Sequence, residues 1–331
     1  MTDHDGTRTR NGDATGAEAL VAEPNWLKDK AVRFLDSDVY FSFKRSPVTI
    51  VAFSLVMLLV LGALLGPLIA PQNPHDPAQL NLMDGFTPPF SANQFTGSFY
   101  LLGTDDQGRD IFSAILYGLR ISLFVGVVSV LFAGVLGVTL GLVSGYFGGW
   151  IDTLIMRIAD IQLTFPSILI AMLIFGIARG LVPVEMRNDA ALYILILSIG
   201  LSEWVQFART VRGATLVERE KEYVQAARLI GLGRIPIMVR HVLPNVMGPV
   251  LVIGTIGLAL AIIAEATLSF LGVGAPPTTP SLGTLIRVGQ DFLFSGEWWI
   301  ILFPSLTLLV LALSVNLLGD WLRDVLNPKL R

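Results

Sequence analysis

The stretch Glu222-Tyr-Val-Gln-Ala-Ala-Arg-Leu-Ile-Gly231, continued by Leu-Gly-Arg-Ile-Pro-Ile-Met-Val-Arg to His241-Val-Leu-Pro-Asn245, lies between two apolar runs at 191–208 and 246–271. A polar segment held between two membrane-length runs must sit at one face of a bilayer. It is nevertheless patterned like an ordered element. Glu218, Glu220 and Glu222 open it, and Arg228 and Gly231 close it. Acids at the start and a base with glycine at the end suit a helix dipole and a glycine C-cap. The spacing predicts a helix over Thr215–Ile230 and a second, short one from about Pro236 to Leu243, after which Pro244 ends it and starts the next span. Tyr223, Ala226, Ala227 and Ile230 fall on one stripe by the i, i+3, i+4, i+7 rule. Such a stripe needs cover, and its two alanines leave room for a close-packed protein partner. Lipid headgroups are the competing cover.

Working outward, the rest of the chain explains where this loop sits. The 331 residues are 53% hydrophobic and 15% charged, with a mean hydropathy of +0.66. That apolar content exceeds what a soluble domain of this size buries, so lipid is the expected solvent. The run Pro47–Ala70 carries no charge and reaches about 36 Å as a helix, enough to cross a hydrocarbon core of roughly 30 Å. The same length test places further spans near 119–146, 154–181, 191–208, 246–271 and 299–318, about six in all. Segments 1–46 and 319–331 are expected as tails, with only the part from Trp26 to Phe43 ordered in the first. Segment 71–117 is expected as an outer loop ending in an amphipathic helix, and 118–318 as a five-helix core that carries the 209–245 loop. No short apolar stretch with a small-residue cleavage site begins the chain, so no removable signal is expected. Lys28, Lys30, Arg33, Lys44, Arg45, Arg209, Arg212, Arg219, Lys221, Arg228, Arg234, Arg240 and Arg323 all fall on the side of the N-terminus, whereas Arg109, Arg120, Arg179, Arg187 and Arg287 fall on the other. This bias predicts cytoplasmic termini and a cytoplasmic loop.

The totals also exclude chemistry. A formal charge of -3 argues against nucleic acid as a partner. Cysteine is absent and the three histidines are far apart, so no metal site is expected. No Gly-Lys pair occurs anywhere in the chain, which removes the phosphate-binding loop of an ATPase. Motifs of nucleophilic or metal-dependent hydrolases are missing as well, so neither catalytic residues nor a cofactor is expected. The acids of Gly103-Thr-Asp-Asp-Gln-Gly-Arg-Asp110 lack the spacing of a calcium loop and read as a helix cap with an ion pair to Arg109. Within the spans, Arg157, Asp160, Glu203 and Glu265 are ionisable. A charge in lipid costs roughly 2.5–3.5 kcal/mol by insertion scales, so these groups must face protein or a water-filled path. Arg157 and Asp160 are spaced to pair with each other. For Glu265 a lining role and an interhelical hydrogen bond both stay open. Gly137, Gly141 and Gly145 repeat every four residues, the pattern of a close helix–helix contact.

At the opening stretch the chain resembles the membrane subunits of bacterial ATP-binding-cassette importers, whose cytoplasmic loop reads E-A-A-x(3)-G-x(9)-I-x-L-P. Here Gln225-Ala226-Ala227, Gly231 and His241-Val242-Leu243-Pro244 keep the spacing, with Gln225 for Glu and His241 for Ile. Both departures are similar to the dipeptide and oligopeptide branch, as are Glu222-Tyr-Val, Gly118-Leu-Arg-Ile-Ser-Leu123, Gly145-Tyr-Phe-Gly-Gly149, Phe165-Pro166, Leu268-Ser-Phe-Leu-Gly-Val-Gly274 and Asn316-Leu-Leu-Gly-Asp-Trp-Leu-Arg-Asp324. Within that branch the match is to the second of its two permease subunits, over roughly residues 40–331. The resemblance implies an all-α, type I importer permease in a bacterial inner membrane. It implies docking of Glu222, Tyr223, Gln225, Ala226, Ala227, Gly231, His241, Leu243 and Pro244 on an ATPase subunit. The implied partners are a homologous second permease, two ATPase subunits that bind the ATP, and an extracytoplasmic solute-binding protein. The implied cargo is a di- or oligopeptide, or in relatives with the same motifs a nickel chelate, glutathione or another small solute. An ion-coupled secondary transporter would instead show repeated halves and broken helices around midplane charges. A membrane scaffold would bind no ATPase.

Overall fold

The computed structural model describes residues 38–276 and 278–326. Most of the 1–46 tail, including Trp26, and the end of the 319–331 tail lie outside the described residues. The chain divides at Arg45 into two units. Of the first, an eight-residue helix α1 (Asp38–Arg45) is described, with Lys44 and Arg45 in its last turn, where the helix dipole favours cations.

The second unit is helical. Helix α2 (Pro47–Ile69) starts on Ser46, whose side chain accepts the Thr49 N–H, and on a proline at its first position, where no donor is lost. Segment 70–110 is irregular, as its prolines predict, but folds back on itself through a small antiparallel hairpin of β1 (Ser91–Ala92) and β2 (Phe99–Tyr100). Asp110 then caps α3 (Ile111–Phe147) by accepting the Ser113 N–H at 2.9 Å. The expected amphipathic helix and second span are thus one continuous helix of 37 residues.

The expected straight span over 154–181 does not form. Helices α4 (Gly149–Leu163) and α5 (Ser167–Leu181) meet at a 99° bend. The break falls at Thr164-Phe165-Pro166, where proline offers no N–H to continue the helix and its ring pushes the preceding residue out of the helical region. Helix α6 (Arg187–Glu218) overruns its expected end by a further ten residues or so, and the expected Thr215–Ile230 helix is split, its first turn belonging to α6 and its remainder forming α7 (Glu222–Leu229). A third correction concerns Pro244. Helix α8 (Arg234–Ile237), a π turn over Met238–Val242 and α9 (Leu243–Phe270) run on as one 37-residue span. The π turn bonds the Leu243 N–H to the Met238 carbonyl, and this wider turn accommodates the proline that would otherwise break the ladder. Helices α10 (Leu282–Asp291) and α11 (Trp299–Leu326) complete the chain, α11 extending past the expected end at 318. Among the described residues, five helices are long and apolar enough to cross a membrane, and the bent α4–α5 pair, counted as one span, makes six.

The core is built on α3 against α6. A Cβ on Gly137 would enter the Trp204 carbonyl, one on Gly141 the Ala208 carbonyl, and one on Gly145 would meet Thr215 Cβ at 2.8 Å. The four-residue glycine repeat therefore brings two backbones together, as small-residue stripes do in membranes.

Candidate functional site

The opening stretch of sequence is a buttressed platform at one end of the helical unit. Val224 and Ala227 of α7 are buried with Tyr146 of α3, Val211 of α6 and Ile237, Val242 and Val246 below. Helix α7 closes in a Schellman motif: Gly231 adopts φ +81°, the Gly231 N–H bonds the Arg228 carbonyl and the Leu232 N–H bonds the Ala227 carbonyl, both at 3.1 Å. Only glycine takes that φ without strain. Tyr223 ties three elements together: its hydroxyl donates to Glu218 Oε1 at 2.5 Å, and Asn245 Nδ2 donates to it at 3.0 Å and to the His241 carbonyl at 2.7 Å. Burial, reinforced by the Glu218 carboxylate, pushes the Tyr223 phenol up to about 12.

The expected stripe is therefore rotated. Ala227 faces its own chain with Val224, while Tyr223, Ala226 and Ile230 face outward. Leu229 is 89% exposed and Ile230 77%, and Leu232, Ile235 and Val239 extend the bare surface. Glu222, Gly231 and Pro244 are exposed, and Gln225, His241 and Leu243 are half-buried. Exposed apolar side chains contiguous on one ordered element mark an interaction surface.

Beside the platform, helices α3, α4 and α6 are tied to one another by groups that local spacing does not reveal. Arg212 of α6 forks onto Asp152 of α4, its far nitrogen at 2.7 Å, and Ser144 of α3 donates to the same carboxylate. Arg219 donates to the Gly145 carbonyl at 2.8 Å, satisfying the open end of α3. Asp160 pairs with Arg209, not with the expected Arg157, which is exposed. A neighbour three residues away on the same helix lost to a guanidinium projecting from the packed helix. Gln162 adds a further clamp, donating to the Leu201 and Ser202 carbonyls at 3.0 Å and accepting the Trp204 indole N–H at 2.9 Å.

The two other intramembrane acids differ from each other. Glu265 is wholly buried and accepts from Ser122 of α3 and Ser269 of its own α9, both at 2.7 Å. The Leu282 N–H bonds Ser122, and the Ala275 N–H bonds Ser269. The Ser122–Glu265 bond joins α3 to α9. Glu203 is half-buried on α6 and lines a cavity with Gln206. On the opposite end of the molecule, Asp105 accepts the N–H groups of Gln107 and Arg109 at 2.9 Å through one oxygen and approaches Arg109 at 3.9 Å with the other, the cap-and-pair arrangement that its sequence suggests. Burial pushes its carboxyl up to about 6, against the pull of those bonds.

Among the described residues the bundle has five or six crossings, a broken third span and an ordered platform where the fourth crossing meets the fifth. A solved chain of the MetNI methionine transporter, in an inward-facing conformation, has this fold: it superposes with a TM-score of 0.51 at 21% identity, covering 64% of this chain and 96% of that one. The chain belongs to the family of binding-protein-dependent transport system inner membrane components, whose model matches residues 137–331. Residues 37–89 match the N-terminal transmembrane domain of oligopeptide transport permease C. A dipeptide transport system permease of Haemophilus influenzae is 37% identical over 89% of this chain and 95% of its own. A glutathione transport system permease of Pectobacterium atrosepticum is 35% identical over 95% of this chain and 98% of its own.

Proposed function

We propose that the chain is one of two permease subunits that together conduct di- or oligopeptides across a bacterial inner membrane, with both termini and the α7–α8 platform in the cytoplasm. The observation that carries this reading is the platform itself: an ordered helix whose inner face is buried and whose outer face, Ala226, Leu229 and Ile230, is bare. The outer face docks in a groove of an ATPase subunit. Two such ATPases bind and hydrolyse the ATP, and the permease itself uses no cofactor. Because Tyr223 bonds α7 to Glu218 of α6 and Asn245 of α9, and Val224 and Ala227 are buried with Tyr146 of α3 and Val211 of α6, a push on the platform is transmitted to the spans as a rigid movement. A solute-binding protein delivers cargo to the opposite face. The glutathione relative supports a second cargo, and glutathione is itself a small peptide with a free amine. Co-expression with a second permease, two ATPases and a binding protein tests the reading: the expected result is a co-purifying complex that accumulates peptide in proteoliposomes only with ATP. Failure of any ATPase to associate overturns it.

A further inference from the structure

Resting on the peptide-permease reading, we propose that Glu203, with Gln206 beside it, is the site within the translocation path that takes the protonated α-amino group of the passing peptide. Glu203 lies within the apolar run 191–208 of α6 (Arg187–Glu218), about 8 Å from the end nearer the platform at about 1.5 Å per residue, and so inside the membrane. Three other acids of the bundle interior have partners. Asp152 and Asp160 are held by Arg212 and Arg209, and Glu265 is sealed by serine hydroxyls. Among the described residues no cation forms an ion pair with Glu203. The carbonyls of Leu201 and Ser202 just before it accept from Gln162, two residues ahead of the break at Thr164-Phe165-Pro166, so the acid sits beside the bend between α4 and α5.

Its side chain borders a cavity of about 80 Å³ lined also by Val130, Gln206, Phe207, Ile253 and Leu260, larger than the space one water needs. Gln206, one turn further on, is exposed, as is Leu260 across the cavity, so the cavity opens at the surface of this chain. An uncompensated carboxylate at this depth is tolerated only beside water or a cation. Every ordinary peptide, whatever its side chains, carries an ammonium at its N-terminus. A carboxylate with a neighbouring amide oxygen binds that group without reading the sequence, and in apolar walls the charge-assisted bond is stronger than in water.

The chain's lack of cysteine allows a direct test in the reconstituted complex. Glu203→Cys is exposed to a water-soluble cationic thiol reagent and the mass of this chain is followed, with Leu131→Cys, on an exposed apolar face, as the comparison. The expected result is that position 203 reacts at least about tenfold faster than position 131 and is protected when loaded binding protein is added. Glu203→Gln, which keeps the shape and removes the charge, is expected to lower peptide uptake about tenfold, the loss of one charged hydrogen bond, while co-purifying with the ATPases in normal amounts. Glu203→Asp should recover part of the uptake. Equal labelling at 203 and 131, or normal uptake by Glu203→Gln beside an active wild type, overturns the assignment. A wild-type complex that moves no peptide overturns the permease reading, a separate outcome.

Discussion

At the scale of single residues, Asp105 gives the clearest quantitative handle. Its folded-state pKa of about 6 lies above the ordinary carboxylate value of 3.8. Between these values the native state binds more protons than the unfolded one, so stability falls as pH rises through that window and the loss is complete above about pH 6. Both backbone N–H bonds go to one oxygen of the side chain, which an asparagine carbonyl replaces. Asp105→Asn is therefore expected to fold and to flatten the pH dependence of thermal unfolding between about pH 4 and pH 6. A variant whose unfolding temperature still falls with pH over that range as steeply as the wild type would show that another group is responsible. The local turn around Asp105 and the cap at Asp110 were legible in sequence because donors and acceptors there lie within four residues of one another. The partners of Asp160 and Glu265 were not. Arg209 and Ser122 reach them across helix packings separated by about fifty residues or more, and no local period encodes such a meeting.

At the scale of elements, composition and length located the long apolar helices but missed α10, merged α4 with α5 and misjudged where helices stop. Polarity ends a hydrophobic run in sequence, yet α6 continues beyond its apolar stretch because it packs on the end of α3, Thr215 against Gly145 and Arg219 on the Gly145 carbonyl. The glycine repeat was readable as a packing face because its period is that of the helix. Its partner became visible only in the fold. The contact has a graded prediction. Gly141 has the Ala208 backbone where a side chain would stand, whereas Gly134 has only Phe207 at 3.8 Å. Overpacking a close contact costs about 1–3 kcal/mol or more. Gly141→Val should therefore sharply reduce the yield of monodisperse protein by detergent size-exclusion chromatography, and Gly134→Ala should leave it unchanged. Equal yields would mean that α3 and α6 separate without cost. The bend at Pro166 belongs to the same lesson: an apolar count across 154–181 sums two helices, and a single residue without an N–H divides them.

At the scale of the whole molecule, the proposed docking requires the platform to be both part of the bundle and available to a partner. The two demands are met by adjacent alanines on α7. Ala227 is 5% exposed and buried with Val224 and Val242, while Ala226 faces away from the chain. The motif in sequence treats the pair as one feature, and the helical period alone assigns both to one stripe. Their division follows from the register with which α7 lies on α3 and α6, set by the Tyr223 network and the Schellman closure at Gly231. The same charge placed at either alanine should therefore fail in different ways. Ala227→Glu buries an unpaired carboxylate in an apolar cluster, which the protein avoids only by opening the platform; reduced thermal stability of the isolated permease is expected, together with loss of transport. Ala226→Glu leaves the permease as stable as the wild type but sets a charge on the docking face, so loss of ATPase co-purification and of ATP-dependent uptake is expected at unchanged unfolding temperature. Gly231→Pro lacks the N–H that bonds Arg228 and cannot adopt φ +81°, so it should resemble Ala227→Glu. If Ala226→Glu instead couples normally while Ala227→Glu does not, the platform is a structural clamp and the ATPase docks elsewhere.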